Sequence, residues 1–479
     1  MGKNKIIISA IIILLFNCVI RAEKKIRPYK EHLVYFKNTP NELNVYKLYG
    51  RQDGKTVFIL GGIQGDEPGG FLSADLYPDL VLEKGNLIII PRANFHSIIL
   101  NKRGVNGDMN RKFQNNKPKD VDDQIVNLIK QFMSESDLFL NLHDGWGFYR
   151  DEYIDEMRNP YRFGQSVIAD ADFYVKENGD TISLKKMADT VIEKVNKKII
   201  NPEHHFHFMN TRTNEPNTPF ADQRKSATFF ALTNYNIPAF GIETSKNLKD
   251  LELKIRYHNY VINEFLNLMG VEPEHPAILY EPPRLIYAMI VVNDRFPNMV
   301  IDGSVLNLYK GDNIKVTHIE SNYKRGLTCD ILNVGSEQDY MKDFEITQTT
   351  KIIFRKDNFN IGEVGINVNE MRTDYVVFLT EVNGKKQLFF QNDTLKIHRG
   401  DKLRIINVLI DGMESTSLTV NLKGFVPNVK YNTGEDRGYL IDTGNLYWKK
   451  YSLYGMGKVY PIVVTRGAKE VAKAFLRLQ

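Results

Sequence analysis

Two adjacent prolines, Pro282 and Pro283, divide this sequence into two textures, and that change constrains the fold more than any other feature. Upstream, from about residue 44 to 270, short apolar runs alternate with helical stretches. "TVFIL", "NLIII", "LFLNL" and "PAFGIE" predict buried strands; "VDDQIVNLIKQFMSE", "SLKKMADTVIEKVNKKI" and "LELKIRYHNYVINEFLNLM" predict amphipathic helices. That alternation specifies an α/β domain around a buried sheet. Downstream, from Leu285, helical periodicity fades. Runs such as "IKVTHI", "KIIFR", "DYVVFL" and "SLTVNL" alternate between Gly, Asn and Asp turns, which predicts all-β structure. "LNLYKGDNIKV" at Leu306 is echoed by "LKIHRGDKLRI" at Leu395, 89 residues on. Each reads strand, basic-Gly-Asp turn, strand. Either convergent hairpin chemistry or a pair of small β modules accounts for the echo, with a boundary near 370–375 in both cases.

A chain of 479 residues is too long for one core, and several domains are expected. Its first 22 residues carry Lys3 and Lys5, an apolar run from Ile6 to Ile20, and Ala22. This is the pattern of a cleaved secretory signal, shorter than the roughly 20 residues of a membrane span, with an uncleaved anchor as the alternative. A lipoprotein reading through Cys18 fits less well, because Phe16 and Asn17 stand where small residues are wanted. Cleavage removes three basic residues and leaves 60 against 58 acidic ones, a net charge of about +2. Nucleic acid is therefore not an implied partner, and no stable membrane span is expected after cleavage. Only Cys329 then remains, so an exported chain relies on its cores rather than on disulfides.

The first strand opens into "GGIQGDEPGG", residues 61–70. Gln64 and Glu67 stand three apart, which at a strand-to-helix turn puts both side chains on one face. The surrounding glycines are expected to leave room for metal, water and substrate. "LFLNLHDGWG" brings His143 to another strand end, and strand ends of open α/β sheets face the ligand crevice. An amide oxygen, a carboxylate and an imidazole meeting there would hold Zn²⁺ and leave one position open, the catalytic arrangement. "HHFHF" is richer in histidine, but His204, His205 and His207 sit in a polar, loop-like stretch whose nearest carboxylate is Glu203. A solvated or substrate-lining segment is the expectation there. In "NKRGVNGDMNRKF", Arg103, Asn110 and Arg111 gather donors that match carboxylates bidentately. "PAFGIETSK" places Glu243 at a strand end, where a carboxylate can act as general base.

The order Gln64-x-x-Glu67, Arg103…Asn110-Arg111, His143, Glu243 resembles that of zinc carboxypeptidases of the carboxypeptidase A type, with glutamine where histidine is usual. With the signal, "DMNRKF", "NLHDGWGFYR" and a β-rich C-terminal half, the chain resembles more closely the cell-shape-determining peptidoglycan DL-carboxypeptidases of curved and helical Gram-negative bacteria. The resemblance implies that Gln64, Glu67 and His143 hold zinc and that Glu243 moves the proton from water to the leaving amine. It implies that Arg103 stabilises the oxyanion or binds substrate carboxylate, and that Asn110 and Arg111 clamp the terminal carboxylate. It implies a zinc-carboxypeptidase domain at 23–280, a β-barrel-like domain at 281–372 and an immunoglobulin-like domain at 373–479. The implied reaction is periplasmic trimming of peptidoglycan tripeptide stems to dipeptides by removal of meso-diaminopimelate. The two β domains would position the enzyme on the sacculus or bind cell-shape protein partners. The alternatives are a non-catalytic cell-wall scaffold with a degenerate zinc site, favoured by Gln64, and a small-molecule deacylase.

Overall fold

The computed structural model describes residues 29–479 except 116, 276–279, 370–374, 411–412, 415–417, 428–429, 431 and 446–448. The expected signal segment, with Cys18, lies outside them. Among the described residues no helix is long and apolar enough to cross a membrane. Residues up to Val368 form one compact unit and residues from Asn369 a second.

The first unit is built on a nine-stranded sheet. Its strands are β1 (Lys30–Tyr35), β2 (Leu43–Tyr49), β3 (Gln52–Leu60), β4 (Leu82–Ile90), β5 (Leu138–Gly145), β6 (Ser166–Ala169), β7 (His207–Asn210) and β8 (Ala239–Ser245). They lie in the order β1-β2-β4-β3-β5-β8-β6-β7, and Glu272–Pro273 pairs with β4. The central strands β4, β3, β5 and β8 are parallel, which is why β5 reads as a continuous buried run rather than an alternating one. Helices α1 (Pro68–Ala74), α2 (Phe95–Ile99), α3 (Val121–Met133), α4 (Leu184–Asn196), α5 (Ala227–Tyr235) and α6 (Leu251–Met269) accompany the sheet. Two apolar clusters, one around Ile59, Leu140 and Phe265 and one around Phe58, Phe113 and Phe139, make the core. They bury alternate residues of the same strands.

The remainder of this unit is a β module. It comprises β9 (Leu285–Val292), β10 (Phe296–Val300), β11 (Val305–Tyr309), β12 (Asp312–Ser321), β13 (Leu327–Ile331), β14 (Asp343–Ile346), β15 (Thr350–Lys356) and β16 (Phe359–Asn369). They form two sheets, β10-β9-β12-β14 and β11-β16-β15-β13, over one core that includes Cys329. The second unit repeats this plan with β17 (Val376–Val382), β18 (Lys385–Phe390), β19 (Thr394–Ile397), β20 (Lys402–Ile410), β21 (Met413–Glu414), β22 (Leu418–Leu422), β23 (Ile441–Asp442), β24 (Val459–Arg466) and β25 (Lys469–Leu478). One sheet runs β18-β17-β20-β21, with β23 also on β20, and the other β19-β25-β24-β22. Setting β21 aside, strand for strand the two orders are the same.

The sequence echo lies at one corner of this shared plan, and it is not a hairpin. β11 and β12 belong to different sheets, as do β19 and β20, so Lys310-Gly311-Asp312 and Arg399-Gly400-Asp401 carry the chain across the core. Gly311 at φ +91° and Gly400 at φ +99° make the bend. Asp312 accepts from the Tyr309 amide at 2.9 Å and the Asn293 amide side chain at 2.8 Å. Asp401 accepts from the His398 amide at 2.7 Å and the Asn383 side chain at 2.8 Å.

Candidate active site

The glycine-rich segment after β3 does not leave space for a ligand in the way its composition suggests; its own chain fills the space. A Cβ on Gly65 would lie 2.2 Å from the Ser97 backbone, and one on Gly69 would lie 2.3 Å from Asp144 Oδ1. The glycines therefore let the 61–67 turn lie against α2 and let α1 lie against the end of β5. Glu67 is the N-cap of α1, with Pro68 at the first helical position. Asp144 holds this joint: it accepts from the Gly69 amide at 2.7 Å and from the Thr244 hydroxyl at 2.5 Å, and its own amide donates to Glu67 Oε2 at 3.2 Å. Burial opposes its charge, but His258, Lys254 and Thr244 outweigh that and hold its carboxyl below the ordinary range.

This packing brings the three expected ligands together. Gln64 Oε1 lies 3.0 Å and Glu67 Oε2 2.9 Å from His143 Nδ1, with all three side chains buried. Donors around a tetrahedral Zn²⁺ sit about 3.4 Å apart for bond lengths near 2.1 Å, so these two separations suit a small cation with slight expansion. Gln64 has a firm orientation: its amide nitrogen donates to Asp108 Oδ1 at 2.8 Å, which leaves the oxygen toward His143. Asp108 also accepts from Arg103 Nε and Nη2 at 3.2 and 3.0 Å, and burial against these donors and Arg111 leaves its carboxyl lowered.

The other expected residues surround this centre. In the β5–β8 register Glu243 stands opposite His143. Burial and the Glu67 and Asp144 carboxylates push the Glu243 carboxyl well above the usual range, against Arg103 and Lys246. Arg103 reaches Glu67 Oε1 with Nη1 at 3.1 Å while half of its side chain stays exposed. Asn110 and Arg111 lie in a 3₁₀ turn whose N-cap is Asp108. The Asn110 oxygen accepts from the Ala227 amide at 3.0 Å, so its NH₂ end is the one left to donate to a ligand.

Asp108, Asp144 and Lys246 escaped the sequence reading. Lys246 bonds Asp66 at 2.7 Å, stands 3.7 Å from Glu67 Oε1, and lies over the exposed Trp146 ring. The "DMNR" order was the only available signal for Asp108; Lys246, three residues after Glu243, had none. The histidine-rich stretch makes its bonds elsewhere. His204 Nδ1 meets Tyr257 OH at 3.0 Å and His205 Nε2 meets the Ile199 carbonyl at 3.1 Å. His207 begins β7 rather than lying in a loop. Among the described residues no group of three or more His, Cys, Asp or Glu side chains is arranged to hold a metal, and the candidate triad is outside that description because its third donor is an amide.

A strand-end amide, carboxylate and imidazole thus meet beside a glutamate and an arginine loop, an arrangement suited to a metallocarboxypeptidase. The family described as "carboxypeptidase controlling helical cell shape catalytic" matches residues 36–290, more than half of the chain, and the chain belongs to that family. Among solved structures, the apo cell shape determinant protein Csd4 of Helicobacter pylori is 23% identical, with TM-score 0.52, covering 91% of this chain and 100% of its own. Its tripeptide-bound form gives 23% and 0.53 over the same shares. The mDAP-bound form of Csd4, described as a D,L-carboxypeptidase, gives 24% and 0.50 over 89% and 97%. These likenesses extend the shared fold through the β modules. No curated protein sequence matches the chain.

Proposed function

We propose that this carboxypeptidase removes the terminal meso-diaminopimelate from peptidoglycan tripeptide stems in the periplasm, leaving dipeptides, at one zinc ion held by Gln64, Glu67 and His143. The observation that carries the reading is the meeting of Gln64 Oε1 and Glu67 Oε2 at His143 Nδ1 with Glu243 on the adjacent strand. The tripeptide- and mDAP-bound Csd4 structures support the substrate class, and the expected signal at residues 1–22 supports the location. Bound zinc supplies Lewis acidity and a water acidified toward pH 7.

The chain's own residues do the rest. Glu243 takes the proton from the attacking water and delivers it to the leaving amine nitrogen, one carboxylate serving both transfers. Arg103 turns its exposed guanidinium toward the developing oxyanion or a substrate carboxylate, a kind of contact that typically contributes roughly 3–4 kcal/mol. The Asn110 NH₂ and Arg111 hold the terminal carboxylate. The two packed sheets of each β module suit a barrel-like domain at 281–372 and an immunoglobulin-like domain at 373–479.

Incubation of purified muropeptides with protein and zinc tests the reading. Tripeptide is expected to yield dipeptide and free diaminopimelate far faster than tetrapeptide is trimmed. A tetrapeptide cut as readily as tripeptide, or no dipeptide at all, overturns it. As controls, Glu243→Ala keeps its metal and loses about 10²–10⁴-fold in rate, whereas His143→Ala loses its metal by elemental analysis.

A further inference from the structure

A second cleft of the first unit takes no part in the scheme above. It has a volume of about 820 Å³ and opens between the α/β part and the β module of the same unit. That falls inside the roughly 300–1,000 Å³ typical of small-molecule sites. One wall comes from β1 and the start of β2, with His32 and Glu42; the other comes from β12 and the loops on either side of β13, with His318, Glu320, Lys324 and Gln338. Helix α2 separates the cleft from the Gln64–Glu67 turn: its first residue, Phe95, lines the cleft, and Ser97 lies against Gly65.

The walls hold polar groups that the fold leaves unused. Gln338 Nε2 is buried and has no hydrogen-bond partner. A donor left in that state costs stability, so its retention needs a reason beyond folding. Its backbone is held firmly. The next residue, Asp339, accepts from the Ile331 and Ser336 amides, each at 2.8 Å, and its own amide donates to Cys329 O at 2.8 Å. On the facing wall His32 stacks on Tyr46, with ring centroids 4.4 Å apart. Asn44 Nδ2 donates to Glu42 Oε1 at 3.0 Å, which turns Asn44 Oδ1 to receive His32 Nε2–H at 2.7 Å. The exposed imidazole then offers Nδ1 as an acceptor. Lys324 and Lys342 also line the cleft; both are exposed and form no ion pair among the described residues. With the histidines neutral, these two lysines balance Glu42 and Glu320, so the walls carry no net charge to select an ion. The charges of Arg92 and Arg325 are taken up by Asp75, Asp79 and Asp357. What remains is a mixture of donors and acceptors beside the rings of Phe95, Tyr323 and Tyr340. A sugar matches that mixture: each hydroxyl donates and accepts at once, an acetamido carbonyl takes an amide donor, and the C–H face of the ring packs on an aromatic face.

We propose that this cleft is a second binding site, for a β-linked N-acetylaminosugar chain such as the glycan backbone of peptidoglycan, with Gln338 Nε2 donating to an acetamido carbonyl. The choice of the peptidoglycan glycan rests on the reaction proposed above; the hydroxyl-and-amide chemistry rests on the cleft alone. The β module then has a task apart from catalysis: it helps to hold the polymer whose stems the α/β part trims.

Isothermal titration calorimetry of the full chain tests this, with peptide-free glycan strands, chitotetraose and cellotetraose as probes. The strands and chitotetraose are expected to bind, and cellotetraose, which lacks acetamido groups, to bind roughly tenfold more weakly or worse. Gln338→Leu should weaken both acetylated ligands about three- to tenfold, and the pair Lys324→Ala with Lys342→Ala by at least as much. In both variants kcat and KM on free tripeptide should stay at the wild-type values. Absence of binding by the strands and chitotetraose overturns the proposal, as does equal affinity for cellotetraose. Unchanged glycan affinity in the folded variants also overturns it, since the sugar then binds elsewhere. Should Gln338→Leu fail to fold, the exposed lysine pair decides. Glycan binding by a protein that trims no tripeptide overturns the proposed reaction and supports this site, whereas trimming without glycan binding overturns only the site.

Discussion

The two β modules have the same strand order and the same Asn–Asp corner, yet one matched turn differs in sequence and surroundings. In the module before residue 369, the β15–β16 turn is Lys356-Asp357-Asn358-Phe359; in the last unit, the β24–β25 turn is Arg466-Gly467-Ala468-Lys469. The second turn is exposed throughout. In the first, Lys356 and Asp357 are buried among groups from the α/β part of their unit. Asp357 bonds Arg92 Nε at 2.5 Å and Nη2 at 3.0 Å, Arg92 forks onto Asp75 at 2.8 Å twice, and Lys356 pairs with Asp357 and reaches Asp75 at 3.3 Å. Arg325 adds bonds to Asp75 at 2.7 Å and to Asp79 at 2.7 and 3.1 Å. Three cations face three carboxylates. Phe359 packs beside Phe71, Leu72, Ile98 and Ile255, residues of α1, α2 and α6. Asp75 caps the C-terminal end of α1, the helix that Glu67 begins. One fold, used twice, thus becomes part of the enzyme body where its turn carries charge that the body neutralises.

The largest expected effect comes from breaking that difference. Asp357 has φ +56°, which Asn tolerates, so Asp357→Asn keeps the turn and removes the charge between Arg92 and Lys356. Uncompensated buried cations cost about 3–5 kcal/mol, measured by denaturant unfolding of the first unit. A loss below about 1 kcal/mol would show that the network is not what joins the module to the body.

Acid sharpens the comparison next, because Asp75 in the first unit and Asp436 in the second are buried carboxyls shifted in opposite directions. Burial opposes the Asp75 charge, but Arg92, Lys356 and Arg325 outweigh it and hold its carboxyl well below the usual range. The folded state then releases this proton more readily than the unfolded state. The contribution is complete well above the unfolded value near 4 and is lost progressively as pH falls through it. Asp436 in the last unit is raised to about 6 by burial and Glu435, against the Leu422 amide. Its folded state takes up the proton first, so its contribution improves as pH falls from above 6 toward 4. Unfolding curves from pH 7 to 3 should show these opposite slopes, with Asp75→Asn and Asp436→Asn each flattening its own. Slopes unchanged in either variant would remove the assignment.

How much of this was legible beforehand follows the range of each interaction. The strand-end residues Gln64, Glu67, His143 and Glu243 were legible because short-range signals, an apolar run and then a polar residue at a turn, place them in the crevice. The glycines were legible as a close approach, but not what approaches: Ser97 is 32 positions from Gly65 and Asp144 is 75 from Gly69. Asp108 turns the Gln64 amide, holds Arg103 and caps the Asn110–Arg111 turn, and such supporting roles leave no spacing pattern. The ion network was out of reach for the same reason, since Arg92 and Asp357 are 265 residues apart. The β echo was legible as local chemistry, while its passage from one sheet to the other depends on pairings that neither strand displays alone.

A moderate and equal effect is expected where the modules agree. Asn293 and Asn383 each hold a corner aspartate and accept a strand amide, from Asn313 and Lys402, at 2.9 Å. Both have positive φ, near 53° and 49°. Replacing either with Ala removes two hydrogen bonds and strains the backbone, a cost of about 1–2 kcal/mol each. Equal losses in both units, by denaturant midpoint, support a shared corner; a loss confined to one shows that only its geometry is shared.

The smallest effect belongs to the exposed turn, and it tests whether sequence at that place matters by itself. Gly467 occupies the position that Asp357 holds in the other module, with φ +59° against +56°. A Cβ at Gly467 meets nothing within 4 Å. Gly467→Asp therefore installs the middle module's residue in nearly the same backbone conformation but without Arg92 and Asp75 around it. Left-handed backbone is mildly unfavourable for an aspartate, and its exposed charge remains hydrated, so the cost should be about 1 kcal/mol or less. The contrast with Asp357→Asn is the measurement: the same residue type at the same turn should be worth several times more where it is surrounded by cations than where it meets solvent. Comparable losses at both positions, from unfolding of the full chain, would mean that the turn matters for the β fold itself and that the ion network contributes little to distinguishing the two modules.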